Sequence, residues 1–206
     1  FELARQRFGG VDILVCSAGA LHVGSSVLEL DDAIWDRLMA VNARGTLLSV
    51  QAAARLMIEQ RRPGRVITTS SMVALSSNPG MSAYAASKAA VYALSQAAAL
   101  ELSAHHITVN TLMPMAWTRL TAPIPAIAAI PNVEEVLSTS HVADIALFLA
   151  SDLAGGVTGQ VIDIGGPQLS SYRTKQSVPV LPSSARWTPQ ELHRRWPEFT
   201  RLWQAD

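Results

Sequence analysis

The chain has 206 residues, of which 49% are hydrophobic and 16% charged, a composition that suits a single substantial α/β core. Sixteen basic and sixteen acidic residues leave no net charge, so the composition gives no electrostatic signal for binding nucleic acid or an anionic membrane. One cysteine excludes a disulfide scaffold and a cysteine-rich zinc site, and the five histidines show no metal-ligand spacing with carboxylates. No apolar run reaches the roughly eighteen residues that a membrane span requires.

Apolar periodicity predicts strands that alternate with helices. Short runs rich in β-branched residues are typical of buried parallel strands, and longer stretches with apolar residues at helical spacing predict the helices between them. The predicted elements, in chain order, are the end of a helix at 1–8, a buried strand at 11–16, a helix at about 31–60, a strand at 65–70, a helix at 82–104, a strand at 107–112, a helix at about 140–151 and a strand at 160–164.

This alternation predicts right-handed βαβ crossovers and a Rossmann-like, doubly wound parallel sheet between two helical layers. The helix at 82–104 is nearly free of charge and rich in alanine, so we expect neighbours to cover several of its faces. The segment 113–137 contains four prolines and is predicted to be irregular.

The last forty residues differ in character from the rest. We expect a first domain at 1–166 and a proline-punctuated, aromatic extension at 167–206, which holds three of the five tryptophans: Trp187, Trp196 and Trp203. Thr188 and Glu191 have the spacing of a capping box that opens a short helix, and Pro197 is expected to interrupt it.

Two residues of the helix at 82–104 have the spacing of an acid/base pair. Tyr84 and Lys88 are four positions apart and therefore project from one helix face. A cation one turn away favours the phenolate, which would lower the phenol pKa from its usual value of about 10. An exposed tyrosine that merely precedes a lysine is the alternative interpretation.

Ser71 follows the predicted strand 65–70, at the carboxyl edge where open α/β sheets bind their ligands. Its loop can bring the hydroxyl beside the Tyr84 phenol. Such a pair can hold a carbonyl oxygen while Tyr84 donates a proton to it and hydride reaches the carbon. Asn42, in an apolar stretch of the helix at 31–60, is a polar residue whose burial needs a reason.

Five motifs in order resemble the short-chain dehydrogenase/reductase family over about residues 9–166. They are Cys16-Ser17-Ala18-Gly19, similar to the family's N-N-A-G turn; Asn42 in its helix; Ser71; Tyr84-x-x-x-Lys88; and Val109-Asn110 through Pro114, followed by the closing segment Phe148–Gly166.

The resemblance implies a catalytic group of Asn42, Ser71, Tyr84 and Lys88. Tyr84 would be the general acid/base, Lys88 would lower its pKa and bind the nicotinamide ribose, Ser71 would polarise the carbonyl, and Asn42 would hold a water in a proton relay. NAD or NADP would be the cofactor. The residues implied to bind it are Ser17, Ala18, Gly19, Asn42, Tyr84, Lys88, Pro114 and Thr118.

The resemblance also implies a hydrophobic alcohol or ketone substrate, an acyl chain or a cyclic compound, under a lid formed by 113–137. We expect a cytoplasmic homodimer or homotetramer that packs through the helices at 31–60 and 82–104.

The chain departs from the family pattern in two ways. Cys16 and Ser17 replace both asparagines of the turn, and Met115 stands where glycine is common. The family's phosphate-binding glycine loop and first three strands do not appear in the sequence. We therefore expect an N-terminally truncated member that binds dinucleotide weakly or not at all on its own. A non-catalytic oligomerisation or binding subunit is the alternative function.

Overall fold

The computed structural model describes residues 1–172 and 188–203, with side chains described through Pro197. The chain forms two compact units, Phe1–Arg173 and Thr174–Asp206. The helices of the first unit are α1 (Glu2–Phe8), α2 (Asp32–Leu38), α3 (Gly45–Gln60), α4 (Ser82–Leu102), α5 (Pro125–Ala128), α6 (Val133–Val136) and α7 (Thr139–Ala150). Its strands are β1 (Ile13–Cys16), β2 (Gly64–Thr69), β3 (Ile107–Met115), β4 (Val161–Gly165) and β5 (Gln168–Tyr172), and three short 3₁₀ turns lie at Met72–Ala74, Ser103–His105 and Asp152–Ala154.

The sheet has the order β1-β2-β3-β4-β5, with the first four strands parallel. The predicted alternation of strands and helices is therefore confirmed. β5 was not predicted: it lies inside the expected extension and pairs antiparallel with β4. A two-residue turn joins these strands, and such a hairpin carries no long apolar run to reveal it in the sequence.

The core lies on both faces of the sheet. Val66 and Val109 pack against α3 and α4 on one face, through residues such as Met57. Ile67 and Leu112 pack on the other face against Leu149 of α7 and its neighbours. This is the expected three-layer arrangement.

β1 is not the buried strand that its composition predicts. Ile13 and Val15 are 48% and 47% exposed, because β1 lies at the edge of the described sheet and pairs only with β2. α4 also differs from expectation. One face is buried, whereas Ala93, Ala97 and Leu100 form an exposed stripe at helical spacing.

The predicted helix at 31–60 contains a π-helical turn at Met39–Arg44 between α2 and α3. A π-turn inserts an extra residue into the helical ladder and changes which side chains face inward. Asn42 lies in this turn and is fully buried. Apolar spacing alone did not reveal the turn, because the sequence on both sides remains helical.

β3 runs three residues beyond the predicted end and includes Pro114. Proline is tolerated in a strand where no neighbour needs its missing N–H. β2 ends at Thr69, opposite Leu112, so Pro114 has only β4 beside it, where it is opposite Ile164.

In the second unit, helix α8 (Pro189–Trp203) begins as predicted, with the Thr188 hydroxyl accepting from the Glu191 N–H at 3.2 Å. The expected interruption at Pro197 is wrong, because the helix continues through it. Proline removes one donor and tilts a helix without always ending it. Trp187 and the side chain of Trp203 lie outside the described part of the chain.

No helix that the structure describes is both long and apolar enough to cross a bilayer.

Candidate active site

A cleft of about 550 Å³ opens at the carboxyl ends of β1, β2 and β3. Parallel strands end together at this edge, where α/β proteins place their ligands. The cleft brings together residues that are far apart in the sequence. Of the predicted site residues, Ser17, Gly19, Tyr84, Lys88, Pro114 and Thr118 line it. Ala18, Asn42 and Ser71 are not among the residues that line the cleft, although the Ser71 hydroxyl contacts the Tyr84 phenol.

The end of β2 fixes the position of Lys88, whose side chain is almost fully buried at 4% exposure. Its ammonium donates to the backbone oxygen of Thr69 at 2.9 Å. Ser70 donates through its hydroxyl to the backbone oxygen of Lys88 at 2.8 Å. Burial lowers the Lys88 pKa to about 8, because desolvation penalises the charged form.

The Tyr84 phenol is buried and hydrogen-bonds the Ser71 hydroxyl. Lys88 places its ammonium 5.8 Å from the centre of the Tyr84 ring. The structure therefore places these three residues close together. The loop that contains the 3₁₀ turn Met72–Ala74 returns to α4 and brings Ser71 to the phenol.

The pKa of Tyr84 differs from the expectation. Desolvation by burial raises it, and the hydrogen bond with Ser71 acts in the opposite direction. Lys88 was expected to lower this pKa, but its ammonium lies 5.8 Å from the ring centre and is itself desolvated. The phenol is therefore held in its neutral, proton-donating form.

Asn42 anchors the loop that follows β1. Its amide oxygen accepts from the Ala20 N–H at 2.8 Å, and its amide nitrogen donates to the Ala20 carbonyl and the Ser87 hydroxyl, both at 2.9 Å. Ser87 in turn donates to the backbone oxygen of Tyr84 at 2.8 Å. This chain of bonds links the loop to the helix that carries Tyr84.

The loop after β1 keeps the ammonium of Lys88 accessible. A Cβ added to Gly19 would lie 3.5 Å from the Lys88 Nζ and 3.4 Å from the Asn42 Oδ1, so a side chain there would fill the space beside both groups. Cys16 ends β1 and packs against the core, and burial raises its thiol pKa to about 11. The thiol is therefore protonated at neutral pH.

The predicted irregular segment forms the far wall of the cleft. Thr118 lies on it, exposed, with its hydroxyl 3.2 Å from the Thr121 hydroxyl and accepting from the Leu120 N–H. A second cleft of about 530 Å³ shares Arg119 and Leu120 with the first. Two short helices, α5 and α6, order the segment that the prolines predicted to be irregular.

Sequence reasoning missed several supporting residues. Ser70 and Ser87 hold Lys88 and Tyr84 through backbone bonds, and Arg119 is a cation that borders both clefts. Ser87 is one of several polar residues in α4, so its residue type alone does not identify it. Arg119 carries no distinguishing signal either, because only the folded segment brings it to the cleft.

The described residues fit the nicotinamide end of a dinucleotide. One of the three ammonium donors of Lys88 is used by Thr69, which leaves others for the hydroxyls of a ribose. The residues lining the cleft include two cations, Lys88 and Arg119, and no carboxylate, which suits an anionic cofactor.

Comparisons with known proteins identify relatives of the chain. A family model described as enoyl-(acyl carrier protein) reductase matches residues 1–166. The chain is 37% identical to (-)-isopiperitenol/(-)-carveol dehydrogenase of Mentha piperita, over 77% of this chain and 64% of that protein. It is 36% identical to a 3-oxoacyl-(acyl-carrier-protein) reductase of Thermotoga maritima, over 80% of this chain and 69% of that protein.

Solved structures give the same result. A short-chain dehydrogenase from Mycobacterium avium superposes with a TM-score of 0.84 at 25% identity, over 97% of this chain and 67% of that one. Acetoin dehydrogenase from Salmonella typhimurium gives 0.69 at 35% identity, over 80% and 67% of the two chains. The chain spans just under two thirds of the length of several curated relatives, 64%, 65% and 61% of three of them. From the match over residues 1–166, the parallel sheet and the named relatives, the chain belongs to the short-chain dehydrogenase/reductase family.

Proposed function

We propose that the protein is an NAD- or NADP-dependent oxidoreductase that interconverts a secondary alcohol and a ketone. The observation that carries the proposal is the contact between the Tyr84 phenol and the Ser71 hydroxyl, with the buried Lys88 ammonium 5.8 Å from the phenol ring. The cofactor would supply hydride for ketone reduction in its reduced form, NADH or NADPH, and would accept hydride from the alcohol in its oxidised form.

In ketone reduction, Tyr84 donates its phenolic proton to the carbonyl oxygen. The raised pKa of Tyr84 keeps this proton in place at neutral pH. Ser71 donates a hydrogen bond to the same oxygen, and the ammonium of Lys88 binds the ribose of the cofactor. In alcohol oxidation, the phenolate accepts the hydroxyl proton. This exchange is general acid/base catalysis by one group that works in both directions.

In this proposal, the role of Asn42 is to position the residues around it. Its side-chain amide holds Ala20 and Ser87, so it fixes the loop that would face the nicotinamide. Ser17, Gly19, Pro114 and Thr118 would border the cofactor, with Ala18 holding the turn between them. A proton relay would pass behind Lys88, beside the carbonyl of Thr69 that already accepts from it.

The substrate that we propose is a hydrophobic alcohol or ketone, an acyl or a cyclic compound. The second cleft supports this class, because its walls are mostly apolar: Leu21, Val23, Leu120, Pro123, Ile124 and Pro125. The related dehydrogenase of Mentha piperita is named for a cyclic alcohol, and the relative from Thermotoga maritima for an acyl substrate.

The test is a Tyr84→Phe substitution, measured with NAD+ and NADP+ on cyclohexanol and with NADH and NADPH on a 3-oxoacyl thioester. We expect turnover to fall by about 10²- to 10⁴-fold, the usual contribution of a general acid/base. Tyr92→Phe, on the same helix, is the matched control and should keep turnover within a few fold. Circular dichroism should show an unchanged fold in both variants. Turnover of Tyr84→Phe within tenfold of the wild type would contradict the acid/base role.

A further inference from the structure

A further pocket, separate from the two clefts described above, lies at the opposite edge of the sheet from the active-site cleft. We call it the basal pocket, because it lies where β2 and β3 begin and beside the turn that precedes β4. Its volume is about 380 Å³, within the range of small-ligand sites. The lining residues used below are Arg65, His106, Thr108, Gly156 and Thr158.

Arg65 is a buried cation whose donors are only partly used. It is 8% exposed and donates to the backbone oxygens of Gly64 and Ser151, at 3.1 and 3.5 Å. The carboxylate of Asp152 lies 3.5 Å from its Nη2, but that carboxylate is fully exposed, so solvent screens the pair. Because a guanidinium has five N–H donors, Arg65 can bind a further oxyanion.

Thr108 is the second, independent observation. It is 7% exposed, and its buried hydroxyl has no hydrogen-bond partner among the described residues. Buried hydroxyls in folded proteins nearly always have a partner, so the Thr108 hydroxyl beside this pocket has hydrogen-bonding capacity that a ligand could satisfy.

Other donors surround the same space. Thr158 accepts from the Val109 N–H at 3.1 Å, which leaves its hydroxyl proton available. The backbone N–H of Gly156 has no partner in the described part of the chain, and the space around its Cα is open. His106 lines the pocket as an exposed ring that can donate. The basal pocket therefore offers a buried cation and several donors with no carboxylate among its lining residues.

We propose that the basal pocket binds the oxyanion of a small metabolite, a phosphate or carboxylate group held by Arg65 and Thr108. Charge-assisted bonds from a guanidinium favour these anions, and the pocket volume leaves room for the rest of a small molecule. This site is separate from the proposed hydride chemistry and does not depend on it.

Thermal unfolding and isothermal titration calorimetry test the proposal, with sodium phosphate, sodium acetate and sodium chloride at matched ionic strength as the probes. Saturable binding of phosphate or of acetate, absent with chloride, is the expected result, and the anion that binds identifies the group. Thr108→Val, which keeps the size of the side chain and removes the hydroxyl, should weaken that binding at least fivefold.

Arg62→Gln is the matched control, because it removes a nearby exposed arginine that does not line the basal pocket. It should leave the affinity within twofold of the wild type. Equal losses in Arg62→Gln and Thr108→Val would show that binding does not depend specifically on the basal pocket and would overturn the proposal. Binding unchanged in Thr108→Val would place the anion elsewhere, such as the active-site cleft, and would also overturn it. No saturable response to either oxyanion up to 20 mM, a test concentration about twentyfold above a Kd of about 1 mM, would do the same.

Discussion

At the scale of single residues, the burial of Lys88 has an energetic consequence that depends on pH. Its pKa is lowered from 10.5 to about 8 in the folded protein, with desolvation as the cause. Below pH 8 the lysine is charged in both the folded and unfolded states, and its burial cost is fully present. Between pH 8 and 10.5 the unfolded state binds more protons than the folded state, so the contribution of Lys88 to stability rises with pH.

We therefore predict that Lys88→Met is stabilised relative to the wild type at pH 7, and that this difference in unfolding free energy shrinks as pH rises from 8 to 10.5. Urea unfolding at several pH values measures it. Burial raises the pKa values of Tyr84 and Cys16, so both residues make the folded state less stable at high pH. These contributions occur in the wild type and in Lys88→Met, so they cancel in the difference between the two unfolding free energies. A difference that stays constant or grows over this window would contradict the buried-charge explanation.

At the scale of elements, the π-turn at Met39–Arg44 and the hairpin after β4 both depend on local backbone geometry. The π-turn directs Asn42 into the interior, where its amide satisfies the backbone of Ala20. The hairpin depends on Gly166, whose φ of +57° lies in the left-handed region. A Cβ at Gly166 would also lie 2.5 Å from the backbone oxygen of Val136.

We predict that Gly166→Ala lowers the free energy of unfolding by about 2–4 kcal/mol, because the added methyl group meets backbone that cannot move aside and the φ is strained. Gly156→Ala is the matched control. No atom lies within 4 Å of its added Cβ and its φ is not positive, so the change should stay within about 0.5 kcal/mol. Equilibrium urea unfolding of both variants provides the measurement. If Gly166→Ala lowers the free energy of unfolding as little as the control does, the predicted clash is wrong.

At the scale of the whole molecule, the exposed stripe of α4 supports the proposal of a homo-oligomer. Ala93, Ala97 and Leu100 lie on one helix face, and Leu100 is 79% exposed. Small residues allow two helices to approach closely, and a leucine beside them adds apolar area that association would bury. Association between copies of the chain would cover the face that the fold leaves open.

We predict that Leu100→Glu dissociates the oligomer, because a carboxylate in an apolar helix contact is costly to desolvate. Leu153→Glu is the matched control: Leu153 is 85% exposed and lies outside α3 and α4. Sedimentation velocity at micromolar protein should show a smaller species for Leu100→Glu and the wild-type species for the control. A monomeric wild type, or equal dissociation by both variants, would contradict the proposed interface.

The sequence by itself determined the alternating strands and helices, the class of fold and the candidate residues of the proposed catalytic group. These follow from local information: apolar periodicity sets each element, and Tyr84 and Lys88 share a face because they are one helical turn apart. Ser71 could be placed near them because parallel strands end at a common edge of the sheet.

Only the tertiary structure decided the properties that depend on burial and on distant partners. The sign of the Tyr84 pKa shift comes from desolvation by surrounding residues, which no local spacing encodes. The anchoring role of Asn42 depends on Ala20, twenty-two positions away, and the exposure of β1 depends on which strands pair with it. Local periodicity reports the conformation of a segment, whereas solvation and hydrogen-bond partners are set by the packing of segments against one another.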